Sequence, residues 1–163
     1  MHFDGDLAGR MMGHDISKIT DYLYVSSWPE GGNADEIRAR NIRLILSMHW
    51  WLPEKELRKP PLKLLWLPTI DSPLIPIPVG FLVHGTRVAL ETIREGYSVL
   101  THCRYGVHRS VAMACCVLVG MGMDADAAMQ LVKAGRAEAD PYAPYVQARI
   151  RKFEGEWSGK KLS

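Results

Sequence analysis

The chain has 163 residues, 47% of them hydrophobic, with 20 basic against 18 acidic side chains and a formal charge of +2. That length suits one domain with a single core, and the apolar content excludes wholesale disorder. The near balance of charge supplies no bulk attraction to nucleic acid, so no stable nucleic-acid complex is expected. The longest apolar run, Val111 to Met123, has the length of a buried helix and is short for a membrane span. Cys103, Cys115 and Cys116 are odd in number and clustered, which argues against a disulfide framework. The start, Met1 to Asp6, carries acids and lacks a hydrophobic signal core. A monomer in the reducing cytoplasm is the expectation.

In chain order, residues 1–15 are polar and glycine-bearing and read as a flexible tail, leaving 16–163 as one domain. Ile16 to Ser26 reads as one or two short strands. Asn33 is placed as a helix N-cap with Glu36 three residues on, as in a capping box, and that helix runs to about Arg40. Ile42 to Leu46 is a short apolar run of strand length. A charged connector, Pro53 to Pro61, leads to a strand candidate at Leu62 to Leu67. Prolines 68, 73, 76 and 78 then stiffen a loop around Asp71. Val79 to Glu95 has helical apolar spacing and Gly96 ends it. Ser98 to Thr101 is a β-rich run. Helices follow over Ser110 to Gly120, Asp124 to about Ala137 (Asp124 as N-cap) and Pro144 to about Trp157. Strands alternating with helices predict an α/β fold of three layers, with a central, mainly parallel sheet of four to five strands flanked by helices. Ligands in such sheets bind beyond the carboxyl ends of the strands.

The segment His102-Cys103-Arg104-Tyr105-Gly106-Val107-His108-Arg109-Ser110 lies at such an end. A cysteine leaves a strand, five residues turn, and an arginine and a hydroxyl open a helix. Amides of the turn and of the helix N-terminus make an anion cradle, reinforced by the helix dipole. Arg109 can fork two hydrogen bonds onto a tetrahedral oxyanion, as a lysine could not. The same field favours the thiolate of Cys103, the form that attacks phosphorus. Ser110 can donate to that thiolate, or serve as a plain helix cap. Gly106 supplies either a backbone angle or a close approach to phosphate that a Cβ would block. Cys115 and Cys116 fall on the apolar helix and read as structural, although a neighbouring thiol could shield Cys103 through a disulfide on oxidation.

The Cys-x5-Arg-Ser run, preceded by His102 and carrying Gly106, resembles the signature of the cysteine-dependent protein tyrosine phosphatases, in particular their small dual-specificity branch. The likeness extends from about Ile16 to Phe153. It takes in Asp21-Tyr22-Leu23-Tyr24-Val25, Arg136 and the Asp140-Pro141 region. It implies a metal-independent phosphatase acting on phosphotyrosine, with phosphoserine and phosphothreonine as further candidates, through a phosphocysteine intermediate. It implies that Cys103 is the nucleophile, Arg109 the phosphate clamp, and His102 a brace of the loop. It also implies Asp71 as the general acid, ahead of Asp124, Asp126 and Asp140, which sit in cap or turn positions. The phosphate-binding residues are then Arg104, Tyr105, Gly106, Val107, His108 and Arg109, with no cofactor and no metal.

Tyr105 departs from the pattern, in which alanine is frequent, and Arg104 and His108 add basic character to the rim. Either Tyr105 walls the pocket while Arg104 and His108 draw in a multiply charged substrate, or these side chains point outward and tune nothing. The expected partner is a phosphorylated protein or peptide. The same chemistry on a phospholipid or an RNA phosphate is the alternative. A phosphate-binding module without turnover would need a missing nucleophile, arginine or acid, and a rhodanese-like sulfurtransferase has a shorter cysteine loop.

Overall fold

The computed structural model describes residues 15–29 and 33–161. The stretch read as a tail lies, but for Asp15, outside the described residues. Five strands form one sheet: β1 (Ile16–Thr20), β2 (Leu23–Ser26), β3 (Ile42–Ser47), β4 (Lys63–Trp66) and β5 (Ser98–His102), in the order β1-β2-β5-β3-β4. β1 and β2 form an antiparallel pair, while β2–β5, β5–β3 and β3–β4 are parallel. The helices are α1 (Ala34–Ala39), α2 (Val79–Arg94), α3 (Arg109–Gly120), α4 (Ala125–Gly135) and α5 (Pro144–Lys161), with a 3-10 turn at Lys55–Arg58. The architecture is the three-layer α/β fold that the alternating pattern predicts.

The central strands have an apolar core on each face, so their sequences are continuously apolar rather than alternating. Leu23, Val25, Leu44, Leu46 and Val99 point into the larger core, with α3 and residues of α2, α4 and α5. Tyr24, Ile45 and Leu100 point the other way, onto Ala34 and Ile37 of α1 and onto Leu57 and Leu62. Every residue of α3 from Arg109 to Val119 is buried, because other helices pack around it and β5 feeds directly into it. Uniform apolar composition from Val111 onward is what such a central helix requires.

Local signals act at the predicted ends. Asp124 caps α4, its carboxylate accepting from the Ala127 amide at 2.8 Å. Asn33 stands at the N-cap of α1, but its side chain makes no capping hydrogen bond there. Glu36 instead pairs with Arg40 at 3.0 Å, one turn on, so the reciprocal capping box does not form. The charged connector contains the 3-10 turn, whose Leu57 is fully buried. The consequence of the topology is that β2, β3, β4 and β5 run in parallel, so the segments leaving all four emerge at one edge. Cys103 leaves that edge from β5.

Candidate active site

Cys103 follows β5 immediately, and α3 begins at Arg109, so the loop has only five residues in which to turn from strand to helix. Its shape is set from outside. The carbonyl of Arg104 accepts from the Trp28 amide at 3.0 Å, and that of Val107 from the Asp140 amide at 3.0 Å. Between them, the carbonyl of Tyr105 accepts from Arg136 Nη2 at 3.1 Å, and that of Gly106 from Arg136 Nε at 2.8 Å. Four successive carbonyls are therefore drawn outward. In a trans peptide the N–H of the next residue points the opposite way. The amides of Tyr105, Gly106, Val107 and His108 accordingly turn toward the middle of the loop, beside the N-terminus of α3, a ready site for an anion.

Gly106 is required twice over. Its φ is +68°, and an added Cβ would lie 2.6 Å from Arg136 Nη2 and 2.8 Å from the Ser26 carbonyl. The close approach that excludes a side chain is thus to Arg136 and β2, on the outer side of the loop. Arg136 itself is buried and pairs with Asp15, both of its Nη atoms lying 3.0 Å from the carboxylate, with Nη1 also reaching Ser17 Oγ at 3.0 Å.

Cys103 Sγ lies 3.2 Å from Ser110 Oγ, both buried, either of which can donate. Thr101 Oγ1 donates to the Ser110 carbonyl at 2.9 Å and so ties the end of β5 to the first turn of α3. Arg109 is buried. Its Nη1 donates to the Thr69 carbonyl at 2.6 Å and to the Met48 carbonyl at 3.2 Å. Its Nε, also buried, has no protein partner. A buried guanidinium N–H without an acceptor is costly, and an oxyanion in the cradle would satisfy it. The same two bonds gather the segments that follow β3 and β4 around the arginine.

His102 is fully buried. Its Nδ1 donates to the Cys103 carbonyl at 3.3 Å and its ring meets Trp28 edge-on at 5.6 Å, while Nε2 finds no partner. Burial holds this imidazole neutral and carries its pKa down to about 3, with the fields of His49 and Arg109 acting in the same direction. Its bracing is one hydrogen bond plus ring packing. Cys115 and Cys116 are buried within α3, and loss of hydration pushes both thiols up, as for structural cysteines.

Asp71 lies in the loop between β4 and α2. Its Oδ1 accepts from the Tyr145 hydroxyl at 2.6 Å, and its Oδ2 lies 2.9 Å from His108 Nδ1. Burial acts to raise the carboxyl. The hydrogen bonds from Tyr145 and His108, with the charges of His108 and Arg109, outweigh it and hold the group below its ordinary value. The structure therefore brings His102, Cys103, Asp71, His108, Arg109 and Ser110 to one place. Of the two orientations the sequence leaves open for His108, the structure turns its imidazole to Asp71. Arg104 and Tyr105 also face out, Arg104 Nε donating to the Tyr105 hydroxyl at 3.0 Å with the guanidinium 5.4 Å from the ring centroid. Tyr145 and Asp15 were not legible as site residues, since nothing in their local sequence sets them apart. Among the described residues, no group of three or more His, Cys, Asp or Glu could hold a metal ion. No helix there is long and apolar enough to cross a membrane.

No family model matches the chain. The human "Dual specificity protein phosphatase 22" is 28% identical over 147 residues, which cover 88% of this chain and 76% of that one. Among solved structures, a mouse putative dual specificity phosphatase complexed with zinc tungstate superposes with a TM-score of 0.81 at 23% identity, covering 91% of each chain. PTPMT1 in complex with PI(5)P gives a TM-score of 0.80 at 19% identity, covering 90% of this chain and 99% of that one. The structural likenesses carry the fold, and the sequence relative shares the bulk of the chain. In sequence and in fold the chain is similar to the cysteine-dependent protein tyrosine phosphatases, and the relatives found support their small dual-specificity branch.

Proposed function

We propose that the chain, from residue 16 onward, is a single catalytic domain that hydrolyses phosphotyrosine without a metal, with phosphoserine and phosphothreonine as further substrates. Cys103 Sγ attacks phosphorus as the thiolate, the P–O ester bond breaks, and the leaving oxygen takes a proton delivered through Asp71. Arg109 and the inward amides hold the phosphoryl oxygens as charge builds on them. Water then attacks the phosphocysteine and gives a proton to Asp71. The S–P bond breaks, and the Ser110 hydroxyl donates a hydrogen bond to the departing thiolate. The observation that carries this reading is the buried Arg109 Nε, left without a partner beside a loop whose four carbonyls are tied outward.

The test is phosphate release from a phosphotyrosine peptide in excess chelator and reductant. Turnover by the wild type and its loss, by at least about 10³-fold, in Cys103→Ser is the expected result. Equal turnover by the two proteins would remove Cys103 from the reaction. The free thiols Cys103, Cys115 and Cys116 suit a reducing compartment such as the cytoplasm, and the domain is taken to act as a monomer. The structural neighbour PTPMT1, solved in complex with PI(5)P, supports a second reading, in which the same steps act on a phosphoinositide or an RNA phosphate. Under that reading Arg104→Ala lowers turnover of the polyanion far more than that of a phosphotyrosine peptide.

A further inference from the structure

We infer that His108 is a positioning and proton-holding residue for Asp71, so that the leaving-group proton is stored on an Asp71–His108–Tyr145 unit rather than on a lone carboxyl. The inference rests on the phosphatase reading above. The Tyr145 hydroxyl is 2.6 Å from Asp71 Oδ1 and 3.0 Å from His108 Nδ1, and that same Nδ1 is 2.9 Å from Asp71 Oδ2. The phenolic proton is committed to the carboxylate, which accepts at both oxygens. With the carboxylate ionised, Nδ1 carries a proton, shared between Asp71 Oδ2 and the Tyr145 oxygen. On the far side of the ring, Nε2 faces Asp140 Oδ2 at 3.6 Å. The imidazole thus stands between two carboxylates, an arrangement that suits the cation.

The groups around the imidazole come from several parts of the chain. Asp71 arrives from the β4–α2 loop, Asp140 from the α4–α5 connection, Tyr145 from α5, and Arg109 is the next residue along on α3. Arg149 of α5 lines the same small cleft. Two donors on Asp71 favour its ionised form, and an ionised carboxylate has no proton of its own to give. The proton beside it is the one on His108 Nδ1. As the ester oxygen gains charge, that proton passes from Nδ1 to Oδ2 and from Oδ2 to the leaving oxygen, leaving His108 neutral and Asp71 a carboxylate. In the second step the attacking water gives its proton to Oδ2, which returns it to Nδ1 while hydroxide oxygen joins phosphorus. The unit is restored with no net gain or loss of protons.

The leaving group departs with the stored proton, so loss of that proton from the Asp71–His108–Tyr145 unit should set the alkaline fall of the rate. The experiment measures kcat and kcat/KM against pH for wild type, His108→Asn, Tyr145→Phe and Asp71→Asn. Two substrates are compared: phosphotyrosine, whose phenol needs a proton to leave, and p-nitrophenyl phosphate, whose phenol needs much less help. For His108→Asn, kcat on phosphotyrosine should fall by about 10- to 100-fold, at least several-fold more than on the activated ester and with little change in KM. The alkaline limb should move to lower pH in the variant, where the carboxyl alone is left to hold the proton. Tyr145→Phe, which removes one donor and keeps the imidazole, should show the same substrate bias to a smaller degree with the limb retained.

Equal loss on both substrates, or an alkaline limb at the same pH in wild type and His108→Asn, would overturn the inference. If Asp71→Asn is sensitive to the leaving group while His108→Asn and Tyr145→Phe are not, the storage role fails and the phosphatase reading stands. If no Cys103-dependent turnover exists on either substrate, the phosphatase reading fails and the inference goes with it.

Discussion

His102 is a fully buried imidazole held neutral, and that single side chain makes the fold sensitive to acid. Its pKa is about 3 in the folded protein against 6.5 for a free histidine. The folded value is the lower one, so the contribution to stability is whole above about pH 6.5 and is lost as pH falls toward 3, where only the unfolded chain takes up the proton. The loss amounts to several kcal/mol, on the order of 1.4 per pKa unit. Urea unfolding at a series of pH values should show it, and His102→Gln should flatten the slope across that window. Gly106 gives a second prediction at this scale. Alanine there must adopt a left-handed angle, at about 1–2 kcal/mol, and must also displace Arg136 or the Ser26 carbonyl. Gly106→Ala should lower both Tm and kcat/KM, and a variant with normal values of both would contradict the loop geometry described.

Among the elements, the signature loop is joined to the β1–β2 edge by the Trp28 amide and, from the other side, by one arginine at the end of α4. Arg136 binds Asp15 on one side and the carbonyls of Tyr105 and Gly106 on the other. Removing a buried partner of this kind costs about 3–5 kcal/mol because the remaining charge stays where it was. Arg136→Met should therefore lower stability by about that amount and reduce kcat/KM with it, as read by denaturant unfolding and by turnover. The sequence makes the elements legible and this join only as a resemblance. Short apolar runs and helical spacing mark β3, β5, α2 and α3, because the pattern is repeated within each element. The Cys103-to-Ser110 cluster is legible for the same reason, being contiguous. The Asp71–His108–Tyr145 contact is not, since its members lie on three segments with no shared period and meet only after the sheet, α3 and α5 have packed. The sequence shows the charge of His108 and leaves its direction open, toward phosphate or outward, because its carboxylate partner lies 37 residues away.

At the level of the whole molecule, an anion in the cradle binds the folded state and not the unfolded chain. Orthophosphate at 100 times its Kd should raise stability by about 2.7 kcal/mol, with a matching rise in Tm that chelator does not alter. Arg109→Ala should abolish that rise, whereas a rise of equal size in the variant would place the anion elsewhere. The outward ties of the loop carbonyls also have a temporal meaning. Two of the four are made by Arg136 and one by Asp140, all on segments synthesised after the cysteine. A ribosome that has reached the end of α3 has already made the full signature, His102 to Ser110, but not the residues that bend it into a receptor. The nascent chain at that stage holds the whole motif but not its shape, and the cradle forms only when the last quarter of the polypeptide closes behind it.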